Sequence, residues 1–176
     1  MFGRSMTGAE IFTTIAQLAV GVTGFSGIVI AFNRQPGRLS DFEAFRILIL
    51  FTNSLAAMFL SLIPFALHYM NWSDIAIWRI GNASVAVFEF VFVTILVRLS
   101  LRFLRQHREL FNLFLLSFFV VGHSVNGVAQ LFSALGWIDL PALSVFLLGL
   151  LWLLFHSAFQ FGRIIFVQPV APGKYN

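Results

Sequence analysis

The sequence contains no cysteine and few charged residues. The absence of cysteine among 176 residues excludes disulfides, thiolate metal sites, iron–sulfur clusters and covalently attached c-type haem. Charged residues make up only 10% of the chain, which is too little to cover the surface of a water-soluble domain. The chain also lacks phosphate-loop, dinucleotide-binding, hydrolase and metalloprotease motifs, so the familiar enzyme signatures give no support to catalysis.

Apolar residues take the place of the missing charge. They form 59% of the sequence, the mean hydropathy is +0.91, and apolar runs of transmembrane length recur along the whole chain. The pattern predicts an all-α, polytopic integral membrane protein, with one domain over residues 1–176 and a first helix that is retained and not removed as a signal peptide. Five transmembrane helices are expected, at about 9–32, 42–70, 75–105, 109–135 and 141–167.

The basic residues indicate how these helices are oriented. The formal net charge is +4, and most arginines fall in or near the one–two loop, the three–four loop and the tail, whereas the other two turns carry Asp74 and Asp139, with Arg79 the one base nearby. The positive-inside rule therefore places the N-terminus outside and the C-terminus in the cytoplasm. We attribute the basic balance to topology and not to nucleic acid, and we expect a bacterial inner (plasma) membrane.

Glu89 is the residue from which the other helices are interpreted. It lies near the middle of the apolar run Asn82–Leu96, where a carboxylate costs about 2.5–3.5 kcal/mol on insertion scales. His123 and His156 lie near the middles of helices four and five, so the three residues share one depth near the bilayer midplane. At about 100° per residue, each helix carries one polar stripe that we expect to face the bundle interior. The stripes of helices one, two and four add Gln17, Asn53 and Gln130.

The leading functional hypothesis is a small, homo-oligomeric channel or transporter for protons or small cations. Intramembrane ionisable residues mark such pathways, and the six polar residues above would line it without a resident cofactor. The alternative for the same residues is a satisfied internal hydrogen-bond cluster. Helix one adds three glycines that would pack against another helix, within or between subunits, or line the pore: Gly21, Gly24 and Gly27.

Two further hypotheses belong to other classes. His123 and His156 could be the axial ligands of a b-type haem, or could join Glu89 as nitrogen and oxygen ligands of a divalent metal. The protein could instead be a non-catalytic assembly or regulatory subunit, docking on a cytoplasmic partner or on anionic lipid. The basic residues for such docking are Arg98, Arg102, Arg105 and Arg108.

One short segment resembles an enzyme family. Gly24-Phe25-Ser26-Gly27 is similar to the Gly-x-Ser-Gly sequence around the nucleophile of rhomboid proteases, which implies Ser26 as nucleophile and a histidine on another helix as its base. The likeness covers four residues, and the chain departs from that family in having too few helices and in placing the serine on helix one. Ser26 also lies off the polar stripe, where its hydroxyl could bond its own backbone. The sequence therefore predicts that the protein is not an enzyme.

Overall fold

The computed structural model describes residues 9–32, 41–106 and 112–166, and these form five α-helices. In chain order they are α1 (Ala9–Phe32), α2 (Asp41–Tyr69), α3 (Asp74–Gln106), α4 (Leu113–Leu135) and α5 (Ala142–Phe166). Each helix is long and apolar enough to cross a membrane. The prediction of an all-helical chain with five helices of membrane-spanning length is therefore confirmed.

The start of α4 differs most from the predicted limits. The helix begins at Leu113 and not at about 109, because Asn112 has extended backbone angles (φ −86°, ψ 102°). The Asn112 side chain accepts a hydrogen bond from the Leu115 amide at 3.2 Å, as an N-cap residue does. At its other end, α4 stops at Gly136, whose φ of 73° is the left-handed conformation typical of a residue that follows a helix. Residues 107–111 lie outside the described part of the chain.

The five helices are not equivalent in the bundle. α3 packs mainly against α4, and α2 packs against α5 and α1, while α5 contacts all four other helices. α1 contacts only α2 and α5 among the described helices, so it lies at the side of the bundle. One apolar cluster, around Phe12, Phe146 and Leu150, fills one half of the interior, and a second, around Phe45 and Phe92, fills the other.

The outward faces of the helices are also apolar. Large side chains such as Phe25, Phe59, Phe114 and Leu148 are between 61% and 77% exposed. A water-soluble protein rarely leaves apolar patches of this extent uncovered. These faces, together with helix length, fit a membrane-spanning bundle.

Two ends of the bundle can be distinguished by charge. The end where α2 and α4 begin and where α3 and α5 finish is called here the arginine-rich end. The described arginines located there are Arg46, Arg98, Arg102, Arg105 and Arg163. The opposite end holds Asp74, at the start of α3, and Asp139, together with the exposed Arg79, Trp72 and Trp137.

A polar layer separates the two apolar clusters. Asn53 falls between them along α2, and Glu89 falls between them along α3. Serine hydroxyls also bond between helices: Ser54 donates to the Ala19 carbonyl at 2.7 Å. Such interhelical hydrogen bonds contribute roughly 0.6 kcal/mol each in membrane proteins, so they fix the register of the helices more than they determine stability.

The three glycines of α1 have open space around them among the described residues. A Cβ atom added at Gly21, Gly24 or Gly27 would find no described atom of a neighbouring element within 4 Å. The described residues therefore give no close packing at these glycines within one subunit. Close approaches between helices occur at other glycines: between α3 and α4, a Cβ added at Gly127 would lie 3.1 Å from the Cβ of Glu89.

Candidate functional site

Three ionisable side chains from three helices meet in the polar layer. Glu89 of α3 and His123 of α4 are 0% exposed, and His156 of α5 is 1% exposed. His123 lies between the other two: its Nδ1 is 2.5 Å from Glu89 Oε2, and its Nε2 is 2.8 Å from His156 Nδ1. The three residues therefore form a continuous hydrogen-bonded chain, named here the Glu–His–His chain.

Amide side chains surround the Glu89 end of this chain. Asn126 donates from Nδ2 to Glu89 Oε1 at 2.5 Å, so both carboxyl oxygens have partners. Gln130, one turn further along α4, donates from Nε2 to the Val145 carbonyl at 2.7 Å and lies 3.3 Å from Asn126 Oδ1. The amides thus continue the polar contacts from Glu89 toward the opposite end and bridge α4 to α5.

Two more amides contact the His156 end. Asn53 of α2 donates from Nδ2 to the Ile49 carbonyl at 2.9 Å and lies 3.4 Å from His156 Nδ1. Gln160 Nε2 lies 3.1 Å from His156 Nε2, one turn along α5. Both nitrogens of His156 therefore have polar neighbours, and α2 is joined to the site.

Aromatic rings fix the orientation of the imidazoles. Phe119 stacks on His156, with ring centroids 3.8 Å apart and an angle of 14° between the planes. Phe92 lies 4.7 Å from His123, and Trp152 lies 5.6 Å from it, edge-on. Phe119 and His123 are four residues apart on α4, which brings them to one face of the helix. The rings surround the imidazoles with apolar surface and restrict their rotation.

The distances between these side chains determine how many protons the Glu–His–His chain must hold. A carboxyl oxygen and an imidazole nitrogen 2.5 Å apart share one proton, whether Glu89 or His123 carries it, and the 2.8 Å contact between the histidines needs another. Because Asn53 donates toward His156 Nδ1, that nitrogen is best assigned as the acceptor and His123 Nε2 as the donor. His156 then carries its own proton on Nε2, and this proton is donated to Gln160 if the amide oxygen, and not the nitrogen, is assigned to the position 3.1 Å away.

A cavity connects the Glu–His–His chain to the arginine-rich end. Its volume is about 40 Å³, whereas one water molecule needs about 10–15 Å³ on the same measure, so it has room for a few waters. We call it the arginine cavity. Its polar lining consists of Arg46, Asn112, His156, Gln160 and Arg163, and its apolar lining of Phe45, Ile49, Leu96, Leu115, Leu116 and Phe119. Since Asn112 is exposed and His156 is buried, the cavity reaches from the surface to the histidine.

The other residues singled out in the sequence lie in different places. Asn53 and Gln130 are fully buried and belong to the polar layer, Asn53 beside His156 and Gln130 linked to Glu89 through Asn126. Gln17 is exposed on the outer face of α1, so its assignment to an interior stripe is wrong. The reason is the position of α1 at the side of the bundle, where its buried face is the apolar one around Phe12.

The two remaining sets of predicted residues lie outside this site. Ser26 is buried, and its hydroxyl donates to the Val22 carbonyl at 2.5 Å, as expected for a serine that bonds its own helix. The basic residues of the docking hypothesis that the structure describes are exposed, and they are Arg98, Arg102 and Arg105. Arg108 lies outside the described residues.

The geometry bears on the haem and metal alternatives. Two nitrogens on opposite sides of one iron are separated by two metal–nitrogen bonds, about 4 Å in total at about 2 Å each. His123 Nε2 and His156 Nδ1 are only 2.8 Å apart, so the rings as placed leave no space for a porphyrin between them. His123 also directs one nitrogen to each neighbour. Among the described residues, no group of three or more histidine, aspartate or glutamate side chains is placed to hold one metal ion.

Four residues of the site are not among those predicted from the sequence. Asn126 donates directly to Glu89. Gln160, Arg46 and Arg163 line one cavity with His156. The available signal was the helical spacing of Arg163 and Gln160 from His156, at seven and four residues.

No family model, no curated protein and no solved structure matches this chain. Its function is therefore argued from the geometry and chemistry of the site itself.

Proposed function

We propose that the protein conducts protons across a membrane through the Glu–His–His chain. The observation that carries the proposal is the unbroken series of contacts from Glu89 through His123 to His156, which ends in the arginine cavity. Intramembrane acids and histidines in such series are typical of proton relays. The sequence predicted transport of protons or small cations, and of these we propose the proton.

One transfer can be written with its protons balanced. The Glu89 carboxyl proton moves to His123 Nδ1 while the proton on His123 Nε2 moves to His156 Nδ1. The proton on His156 Nε2 then leaves to water in the arginine cavity. Glu89 is left as a carboxylate, and both histidines are neutral with their protons on Nδ1. Reprotonation of Glu89 and a turn of both imidazoles back to their first tautomers complete the cycle, and the aromatic rings around the imidazoles make that turn the slow step.

The opposite half of the bundle supplies protons to Glu89 less directly. Asn126 and Gln130 continue the polar contacts there, but amides do not readily take up or release protons. Buried oxygen atoms of Asn82, Gln130 and Ser133 on this half have no hydrogen-bond partner among the described residues. Such atoms are preferred partners for water, so this half would conduct when it hydrates. The arrangement favours gated conduction or coupled transport over a permanently open pore.

The size of the pathway, and not its charge, favours protons over metal cations. Arg46 and Arg163 line the cavity that leads to His156, and their positive potential opposes every cation, the proton included. A proton passes along hydrogen bonds between water and imidazole, so it needs no cation-sized space, whereas a hydrated metal cation does. The contact between His123 and His156 at 2.8 Å therefore supports proton selectivity.

The proposal includes a topology, a membrane and an oligomeric state. The arginine-rich end lies in the cytoplasm of a bacterial inner membrane, with the N-terminus outside. The glycines of α1 face outward with open space around them, which supports contact with a second copy of the chain.

A haem protein is the alternative function, and an absorbance spectrum decides between the two, because bound haem gives an intense Soret band.

The test is proton flux in proteoliposomes of the purified protein. A potassium gradient with valinomycin sets the membrane potential, and an internal pH-sensitive dye reports proton movement across the pH range of ordinary histidine titration. We expect flux above that of protein-free vesicles, unchanged when external sodium replaces choline. Absence of flux from folded protein in both orientations contradicts the proposal.

A further inference from the structure

Arg46 is a buried cation with unpaired donors. It is 7% exposed, although it lies only a few residues inside α2 at the arginine-rich end. Its Nε and Nη2 atoms are buried without a hydrogen-bond partner among the described residues, and the side chain lines the arginine cavity. An arginine near a helix end normally extends its guanidinium to water, so this burial requires a separate explanation.

A second guanidinium lies on the same cavity. Arg163 of α5 is half-buried in its lining and is close enough to repel Arg46 electrostatically. Glu43, one turn before Arg46 on α2, attracts it. Among the described residues the cavity lining includes two arginines and no carboxylate, and Glu43 acts on Arg46 from outside that lining. Burying like charges together is unfavourable unless an anion joins them.

The remaining lining suits an anion of limited size. The first turn of α4, which begins after Asn112, contributes to the cavity and carries the partial positive charge of a helix start. The volume of about 40 Å³ would hold a small group, and the apolar walls would exclude competing bulk water. Guanidinium donors form paired hydrogen bonds to the oxygens of carboxylates and phosphates.

We propose that the arginine cavity binds an oxyanion, a carboxylate or a phosphate group, between Arg46 and Arg163. The inference does not depend on proton conduction, since it rests on the arginines and not on the Glu–His–His chain. The group can come from a small free anion in the cytoplasm or from the headgroup of an anionic lipid in the adjacent leaflet. Both sources offer the same chemistry to the two arginines.

The experiment measures thermal unfolding of delipidated protein in neutral detergent. Sodium phosphate or sodium acetate is titrated against sodium chloride of equal ionic strength. We expect a saturable rise in melting temperature of about 2 °C or more with either oxyanion if the source is free, because ligands that bind only the folded state stabilise it. The lipid arm uses native mass spectrometry after exchange into phosphatidylglycerol or phosphatidylcholine, and retained phosphatidylglycerol identifies a lipid source.

Matched variants assign the response to the cavity. R46Q and R163Q should each abolish the oxyanion shift or the retained lipid, whereas R98Q, at an exposed arginine of the same end, should keep it. If R46Q does not fold, the half-buried R163Q decides alone. The proposal is overturned if the wild type shows neither saturable stabilisation nor retained lipid, or if R98Q loses the response as fully as R163Q does.

Discussion

Replacement of Glu89 by glutamine separates the hydrogen-bonding role of this residue from proton transfer. In E89Q, the amide oxygen accepts from Asn126 as the carboxyl oxygen does, and the amide nitrogen donates to His123 Nδ1. Both contacts of Glu89, each 2.5 Å in the native protein, therefore keep a donor and an acceptor. We expect the free energy of unfolding to change by no more than about 1 kcal/mol, the net value of one hydrogen bond.

Replacement by leucine has a different effect on stability. E89L leaves Nδ1 of the fully buried His123 and Nδ2 of the partly buried Asn126 without their Glu89 partner. An unsatisfied buried group costs about 1–3 kcal/mol, so the loss should be at least about 1–3 kcal/mol from His123, with a smaller addition from Asn126. Thermal unfolding of the two variants in the same detergent measures this contrast.

Proton flux, unlike stability, should fall strongly in E89Q. A carboxamide does not ionise at physiological pH, so E89Q interrupts the relay although the hydrogen bonds remain. A positioned acid or base typically contributes about 10²–10⁴-fold to a proton transfer, so flux in E89Q should fall by at least about 100-fold. E10Q, at an exposed glutamate of α1, is the matched control and should conduct as the wild type does. Flux in folded E89Q within twofold of the wild type would refute a pathway through Glu89.

Three further predictions concern packing, assembly and topology. G149A should destabilise the protein by about 1–3 kcal/mol, because its Cβ would clash with the Gln130 amide. G162A, with no described neighbour within 4 Å, should be neutral or slightly stabilising. Chemical denaturation measures the free energy of unfolding of both variants, and equal effects would contradict the packing argument. G24L should shift the oligomer toward monomer in light scattering while leaving helix content intact, and an unchanged mass would remove the α1 face from the interface. Because the chain has no native cysteine, S73C should react with an impermeant maleimide in intact cells, while a cysteine introduced at the arginine-rich end should react only after lysis. The reverse pattern would invert the proposed topology.

The sequence alone was sufficient for the class of fold and the limits of most helices. Long apolar runs form helices in lipid whatever their neighbours, because every backbone donor and acceptor must be paired within the segment. The first and last residues of most helices could therefore be predicted from the apolar runs and from the turn residues. Helix four was the exception, since Asn112 resembles another polar stripe residue until its side chain is seen to accept from the backbone of the next turn.

The sequence also located the residues that share a depth in the membrane, because position along a helix gives depth directly. Glu89, His123 and His156 could be grouped in this way before any packing was known. The sequence did not give the rotation of each helix about its own axis. The polar stripe of α1 points outward, so Gln17 is exposed, because α1 packs at the side of the bundle and buries its apolar face instead.

Only the tertiary structure determined which atoms meet. Helical spacing indicates a face, but it does not give the 2.8 Å contact between two histidines or the choice of Asn126 as the partner of Glu89. The glycines show the same limit, since the regular spacing on α1 suggested close packing while close approaches occur at other glycines, such as Gly127. The arginine cavity, likewise, exists only because the ends of several helices converge. Periodicity within one helix is a local property of the chain, whereas contacts depend on how helices rotate against each other, and that is decided by the packing of all five.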